Sequence, residues 1–369
     1  MTYGAYPAGQ AVAERVREHF AKHAQAGTLP DVAAIDALID AAFWTSLRRE
    51  EGYVPTVSLA LVEPDATPFP LTFAERLPLI PATLARVAPA VERPGIHLGV
   101  SCASGTLSVW GATRFLPPYC LVLEVAAPGL LVIKQHRGGE HTKYANIAVI
   151  EADQVKIVDE DASSLPDCPS LLASLLGFDT PASWSDSVNV LVQLSVSMRA
   201  HRRGGLLLVV RAGSDRWRES IVAPIAYELR PPFSVLADLM ARQTIDRDRI
   251  WSDALGRAIE GIAGLTAVDG ATIVTDRHEL LAFGAKITRR RGSPPVEQTT
   301  VTEPIEGGIP AVVHPSQLGG TRHLSAAQFV HDQQDAVALV ASQDGRFTVF
   351  AWSPCENMVH AHRVEVLLL

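Results

Sequence analysis

The sequence predicts a mixed α/β protein of two domains: an N-terminal mixed-sheet domain, then a domain with a central mixed sheet flanked by helices. Three observations lead there. The chain has 369 residues, more than one ordinary domain of roughly 100–200 residues. Stretches with apolar residues at three- and four-residue steps alternate with short apolar segments bounded by Gly, Pro and Asp, the textures of helix and strand. The composition, 47% hydrophobic and 20% charged, suits sizeable cores and excludes a mainly disordered chain. Pro231-Pro232, ahead of a new helical run, sets the expected boundary, with an N-terminal region over 1–232 and a C-terminal domain over 233–369.

Taken in order, residues 8–24 and 31–50 read as amphipathic helices, the second started by Pro30 and Asp31. A strand follows from Val54 to Val62, then a helical pattern over 73–91 that prolines bracket. From Gly95 the short segments 106–110, 119–124, 129–134, 146–150 and 154–158 read as sheet. Residues 184–201 fit a helix or a long strand, because Val and Ser spread the apolar positions over both periods. Gly204-Gly205 and the LLLVV run behind it form a buried strand. From Ser234 to Leu265 helical spacing returns, with a break near 244–247, and a helix over 258–265 delivers the chain to strands at 271–275 and 280–287. A long loop over 289–317 precedes a helix over 325–333 and two strands, 336–342 and 347–352, joined at Asp344-Gly345, a hairpin signal. No internal repeat stands out in the residues.

The net charge of −8, from 32 basic and 40 acidic residues, excludes bulk attraction to nucleic acid or to an anionic membrane, so a polyanion needs a local site. Cys102, Cys120, Cys168 and Cys355 lack CxxC spacing, against a zinc ribbon, a redox motif or a disulfide framework. The N-terminus does not look like a signal peptide, and no apolar run approaches the roughly 18–20 residues needed to span a bilayer. The expected location is cytoplasmic.

The candidate chemistry has three parts. Asp269-Gly270-Ala271 stands where a helix delivers the chain into a strand, which presents a carboxylate at a strand edge; alone, Asp-Gly is a common turn dipeptide. Gly319-Gly320-Thr321-Arg322-His323 precedes a helix and combines close backbone approach, free N–H groups and side-chain donors, the ingredients of a phosphate cradle. Ser342-Gln343-Asp344 ends a buried strand. Asp269 and Asp344 together suit a hard divalent ion, Mg²⁺ or Mn²⁺ with Co²⁺ as a further candidate, if the fold brings them together.

The stretches IAGLTAVDGATIVTDRHELLAFGAKI (262–287) and GGTRHLSAAQFVHDQQDAVALVASQDGRFTVFAW (319–352) together resemble the catalytic domain of diadenylate cyclases. That family carries a DGA motif entering a strand, a GTRHRAA segment opening a helix, and a strand ending in Ser-Glu-Glu. The resemblance covers roughly the last 120–135 residues and implies condensation of two ATP into cyclic di-AMP with release of two pyrophosphates. It implies at least a face-to-face dimer, because each 3′-hydroxyl attacks the other nucleotide's α-phosphate. Carried over residue by residue, Asp269 holds the metal and helps deprotonate the 3′-hydroxyl. Gly270, Ala271, Gly320 and Ser342 line the nucleotide, Thr321, Arg322 and His323 hold phosphates, and Asp344 joins the metal site. Two motifs depart from the pattern: Leu324 replaces the second arginine of Arg-His-Arg, and Gln343-Asp344 replaces Glu-Glu. A lost charged hydrogen bond costs about 1.5–3 kcal/mol, so the alternative is a cyclase-like domain that binds nucleotide without turnover. Residues 234–369 carry 12 basic and 16 acidic residues, a net −4, which places the weight of ATP binding on the metal and Arg322 rather than on a basic field.

The N-terminal region carries no catalytic motif. It resembles the DACNV-like sensor regions that accompany such domains, which implies a sensed ligand of unknown identity. Arg199, His201, Arg202 and Arg203 read as an exposed basic turn with an anion site as the alternative, Arg289-Arg290-Arg291 as a solvated loop, and His136, His141, His360 and His362 as surface or core histidines.

Overall fold

The computed structural model describes residues 5–22, 29–103, 105–136, 144–159, 186–242 and 249–369. Cys168, His141 and the break expected near 244–247 lie outside them. The chain divides into two compact units, 1–158 with Leu369, and 159–368, each with its own mixed sheet.

In the first unit α1 (Gly9–Lys22) and α2 (Val32–Ser46) precede β1 (Val57–Leu61). The helices bury Val12, Val16, Phe20, Ile35, Leu38 and Ile39 against one face of the sheet, where they meet Leu59, Leu98, Val100, Leu123 and Ile133. The spacing at three and four residues is what places these side chains on one stripe. Asp31 takes the N-cap position of α2, though its side chain makes no capping bond. The helix expected over 73–91 is only half helix: β2 (Leu71–Pro78) is a strand and α3 (Pro81–Val87) starts at its proline. β2 is an edge strand with mostly exposed residues, so burial imposes no strict alternation there, and its apolar spacing mimicked a helix. β3 (His97–Ala103), β4 (Thr106–Thr113), β5 (Leu121–Ala127), β6 (Leu130–His136), β7 (Tyr144–Glu151) and β8 (Gln154–Ile157) complete a sheet of order β2-β4-β3-β1-β5-β6-β7-β8.

In the second unit α4 (Asp186–Ala200) resolves the ambiguous stretch as a helix. It leads to β9 (Gly205–Val210) and β10 (Tyr227–Phe233), then α5 (Val235–Ala241), α6 (Arg249–Leu265), β11 (Ala271–Thr275) and β12 (Leu280–Ala285). The boundary expected near 232 is corrected here. β9 is buried along its whole length and runs parallel to β11 and antiparallel to the strand 337–341, so residues before Pro231 sit at the centre of this sheet. Pro231 and Pro232 lie in β10, an edge strand whose register breaks between Glu228 and Phe233. Proline lacks the N–H that a ladder needs, so the pair interrupts an edge instead of dividing domains.

The long loop contains two further strands, β13 (Thr299–Thr302) and β14 (Ala311–Val313). Its arginine run is anchored by buried Asp332, which accepts hydrogen bonds from the Arg290 backbone N–H at 2.8 Å and from Ser293 and Gln328. The helix expected from Ser325 begins four residues earlier, as α7 (Thr321–Asp332), with Gly320 extended at its N-cap. β15 (Val337–Ala341), β16 (Phe347–Ser353) and the unexpected β17 (Met358–Arg363) finish the unit. Ala326, Ala327, Phe329 and Val330 of α7 pack on Leu206, Leu208, Ile273 and Phe350.

The two sheets share one plan that the sequence does not display. Setting aside β8 and the β13–β14 pair, each runs second-fourth-third-first-fifth-sixth-seventh strand. Within this shared set only the first and third strands are parallel, β1 with β3 and β9 with β11, while β13, outside it, runs parallel to β17. The registers also match: Leu59 faces Leu98 as Leu207 faces Thr272, and Ser58 faces Glu124 as Leu206 faces Val340. In both, a helix before the first strand packs on one between the second and third, α2 on α3 and α4 on α6. The first unit has no helix where α7 stands; residues 114–120 link its fourth and fifth strands directly.

Candidate functional site

Residues 201–204 before β9, 266–270 before β11, the end of β12, the start of α7 and the β15–β16 turn all lie at one edge of the second sheet, because β9 and β11 enter there while β12 and β15 leave. Asp269 projects from this edge with its side chain 89% exposed and pairs with Lys286 Nζ at 2.5 Å. The pairing follows from register: Ala271 faces Ala285, so Lys286 stands across from the Asp269-Gly270 turn. Gly270 sits at φ +117°, and a β-carbon there would lie 2.5 Å from the Gly284 carbonyl carbon. Only glycine permits this approach of the two chains. The hydrogen bond and charge of Lys286, with a smaller contribution from Arg322, hold the Asp269 carboxyl below the usual carboxylate range.

Arg322, on the first turn of α7, lies against Gly204 and Gln343: a β-carbon on Gly204 would come within 3.0 Å of Nη1 and 3.4 Å of Gln343 Cγ. Gln343 Nε2 donates to the Arg203 carbonyl at 3.4 Å. His201 joins the cluster, with Nε2 at 3.2 Å from Thr266 Oγ1 and Nδ1 accepting the Arg203 backbone N–H at 3.1 Å. Burial, then the charge of Arg203 and also that of Arg322, lowers its pKa, so the ring stays neutral at pH 7. The fold therefore brings Asp269, Gly270 and Arg322 together, with Thr321 exposed on the same helix turn.

Three predicted site residues are placed differently. His323 is 4% exposed, its ring edge-on to Phe350 and so close to Gly319 that a β-carbon there would meet Nδ1 at 2.5 Å. Burial lowers its pKa, and it packs α7 onto the sheet instead of facing a phosphate. Asp344 stays within its own hairpin turn, accepting the Arg346 backbone N–H at 3.3 Å with Arg346 Nε at 3.5 Å. Burial alone would raise its pKa, but the bond from the Ser342 hydroxyl and the N–H and charge of Arg346 outweigh it and hold the carboxyl low. Ser342 serves that turn, its N–H donating to Arg346 at 2.9 Å. Gly320 is the exposed N-cap of α7, and Ala271 is fully buried behind Gly270.

Asp344 and Asp269 thus share no partner, and no group of three or more His, Cys, Asp or Glu that could hold a metal occurs among the described residues. A single exposed carboxylate fits a Mg²⁺ or Mn²⁺ ion that arrives with a nucleotide, since these ions are bound through one or two carboxylates plus substrate phosphates. It does not form a cage that would hold the ion alone.

Sequence reasoning missed Lys286 and the role of Arg199. The strand–turn–strand reading of 271–287 contained the signal for Lys286, because pairing the two strands sets it beside Asp269. Arg199, expected on an exposed basic turn, donates to the Gly345 carbonyl at 2.9 Å and the Leu368 carbonyl at 3.0 Å, which anchors the β15–β16 turn. Of the histidines, His136 contacts the Pro117 carbonyl and His362 contacts Thr302, both buried as core residues. His360, also buried, pairs with Glu356. Among the described residues Cys102, Cys120 and Cys355 form no disulfide, and no helix is long and apolar enough to cross a membrane.

With this geometry in view, comparison with known proteins assigns one segment. Residues 24–114 match the family described as "Probable sensor domain DACNV". The DACNV match lies wholly within the first unit. No curated protein matches the chain. Among solved structures, a hypothetical membrane spanning protein from Bacillus cereus is 16% identical over 51% of this chain and 68% of its own, with a TM-score of 0.27. A double cysteine mutant of DacA from Staphylococcus aureus is 15% identical over 47% of this chain and 85% of its own, with a TM-score of 0.25. Likenesses at these scores define no shared fold.

Proposed function

We propose that the second unit is a diadenylate cyclase that condenses two ATP into cyclic di-AMP and two pyrophosphates, in the cytoplasm, under control of the DACNV-matching unit. The observation that supports this reading is the meeting of Asp269 and Arg322, from two separate motifs, on one open edge of the sheet. The working form is at least a face-to-face dimer, since each copy supplies one nucleotide.

Asp269 would hold the divalent ion beside the phosphates; when bound, that ion supplies charge neutralisation for the departing pyrophosphate. Arg322 and the free N–H groups that open α7 would hold phosphate oxygens, a helix N-terminus being suited to anions. Asp269 would also accept the proton of the ribose 3′-hydroxyl. That oxygen bonds to the α-phosphorus of the nucleotide on the facing copy, the bond to the bridging oxygen breaks, and pyrophosphate leaves with the electron pair. A second such step closes the ring.

The pairing of Asp269 with Lys286, together with Gln343 in place of a carboxylate, favours a second reading: a regulator that binds nucleotide without turnover. Incubation of purified protein with labelled ATP and Mg²⁺, Mn²⁺ or Co²⁺, followed by chromatography, separates the two. Cyclic di-AMP is expected. ATP binding without product under every metal would replace the cyclase by the regulator.

A further inference from the structure

The shared plan of the two sheets allows their edges to be compared position by position. At the edge where the parallel strands end, the first unit opens a cavity of about 600 Å³. Its walls include Leu61 and Val62 at the end of β1, Val100 at the end of β3, and Leu121 at the start of β5. The same edge of the second unit, between the end of β9 and the residues just before β15, holds a gap of only about 10 Å³ beside buried Trp217. Small-molecule sites occupy about 300–1,000 Å³, which this cavity matches and the gap in the second unit does not.

We propose that this cavity is the ligand site of the first unit, and that it takes a small, mainly apolar molecule that is neutral or carries one positive charge. The charge pattern of the described wall selects that class: Asp31 and Glu63 line the cavity, and among the described residues no Lys, Arg or His does. An organic anion would meet two carboxylates and, among the described residues, no counter-charge. The thiol of Cys120, pushed up to about 12 by burial, stays protonated and donates to the Leu61 carbonyl, so it adds apolar wall without charge. Tyr119, at φ +62°, is held in the left-handed region by its N–H bond to the His136 carbonyl at 2.7 Å. A bulky residue in that conformation is costly and is found where a site constrains the backbone. The site falls within or beside the residues that match a sensor family, and it stands or falls independently of the cyclase reading.

The test uses the full chain and two dyes, neutral N-phenyl-1-naphthylamine and anionic 8-anilinonaphthalene-1-sulfonate. Cys102, an exposed thiol in the cavity wall, and exposed Cys355 in the other unit are followed by alkylation and peptide mass spectrometry. The neutral dye is expected to saturate at a single site with about tenfold higher affinity than the anion, a difference near 1.4 kcal/mol, and to slow alkylation at Cys102 only. Ala34→Trp, which fills the half-buried wall on α2, should weaken the neutral dye by about tenfold or more, while Ala33→Trp on the exposed face leaves it unchanged. Exposed Glu63→Lys should shift preference toward the anion with the fold intact. Absence of saturable neutral-dye binding overturns the proposal. So does binding that neither Glu63→Lys nor occupancy-dependent protection of Cys102 reports.

Discussion

The two units place different chemistry on one strand plan. Where the second unit has Ala271 at the start of its third strand, the first has His97. Where Lys286 follows the fourth strand, Arg114 does. The first unit has no carboxylate at the position of Asp269, which Gly95 fills, and no helix to bring an arginine over that edge. Instead His97 is buried there with Nδ1 2.8 Å from Ser58 Oγ and Nε2 2.9 Å from Tyr144 Oη. At the opposite edge the roles reverse, with a cavity in the first unit and Trp217 filling the second. Topology therefore sets where a site can form, and a handful of residues at each edge decides which site does.

The largest effect should come from the residue that the first unit lacks. Asp269→Asn is expected to cut cyclic di-AMP formation by about 10²–10⁴-fold, the usual worth of a positioned proton acceptor, while circular dichroism shows an unchanged fold because the side chain is exposed. Arg322→Ala should weaken ATP binding by roughly 10–100-fold in calorimetry, from the loss of charged hydrogen bonds.

A third variant sharpens the contrast from the other side. Burial pushes the His97 pKa down to about 4, with Glu124 opposing and His136 and Lys134 adding to the shift. The folded state refuses a proton that the unfolded state accepts below about pH 6.5. Stability is therefore intact at pH 7 and falls as pH drops from about 6.5 to 4, by up to about 3 kcal/mol. His97→Gln should remove that share in urea titrations at the two pH values. The acid loss due to His362, likewise buried and lowered to about 4, should remain. The smallest effect is expected for Lys286→Gln, which frees the Asp269 carboxylate and should raise Mn²⁺ affinity in the presence of ATP several-fold by electron paramagnetic resonance; no change would show that the pair does not compete with the ion.

Much of this was legible in the sequence. The strands from Thr106 onward and the hairpin at Asp344-Gly345 follow from alternation and turn chemistry, and the family resemblance of the DGA and GTRH segments assigned Asp269 and Arg322 to one expected site. What was hidden depends on the third dimension. Pro231-Pro232 looks like a linker until β10 proves to be an edge strand. His323 looks like a donor beside Arg322 until the helix starts at Thr321, which turns its ring toward Phe350 while Arg322 faces Gly204. The common plan of the sheets leaves no trace because Ser58 and Leu206, or Glu124 and Val340, hold equivalent registers with unrelated side chains. Backbone pairing constrains the period of a strand and not the identity of each residue.

The central claim is that Asp269 carries the chemistry of the second unit and Asp344 does not. Cyclic di-AMP formation with Mn²⁺ and ATP, measured side by side for the unmodified protein, Asp269→Asn and Asp344→Asn, tests it most directly. The account predicts product from the unmodified protein, product within several-fold of that level from Asp344→Asn, and a loss of about 10²–10⁴-fold in Asp269→Asn. Equal loss in the two variants, or undiminished product from Asp269→Asn, would contradict it.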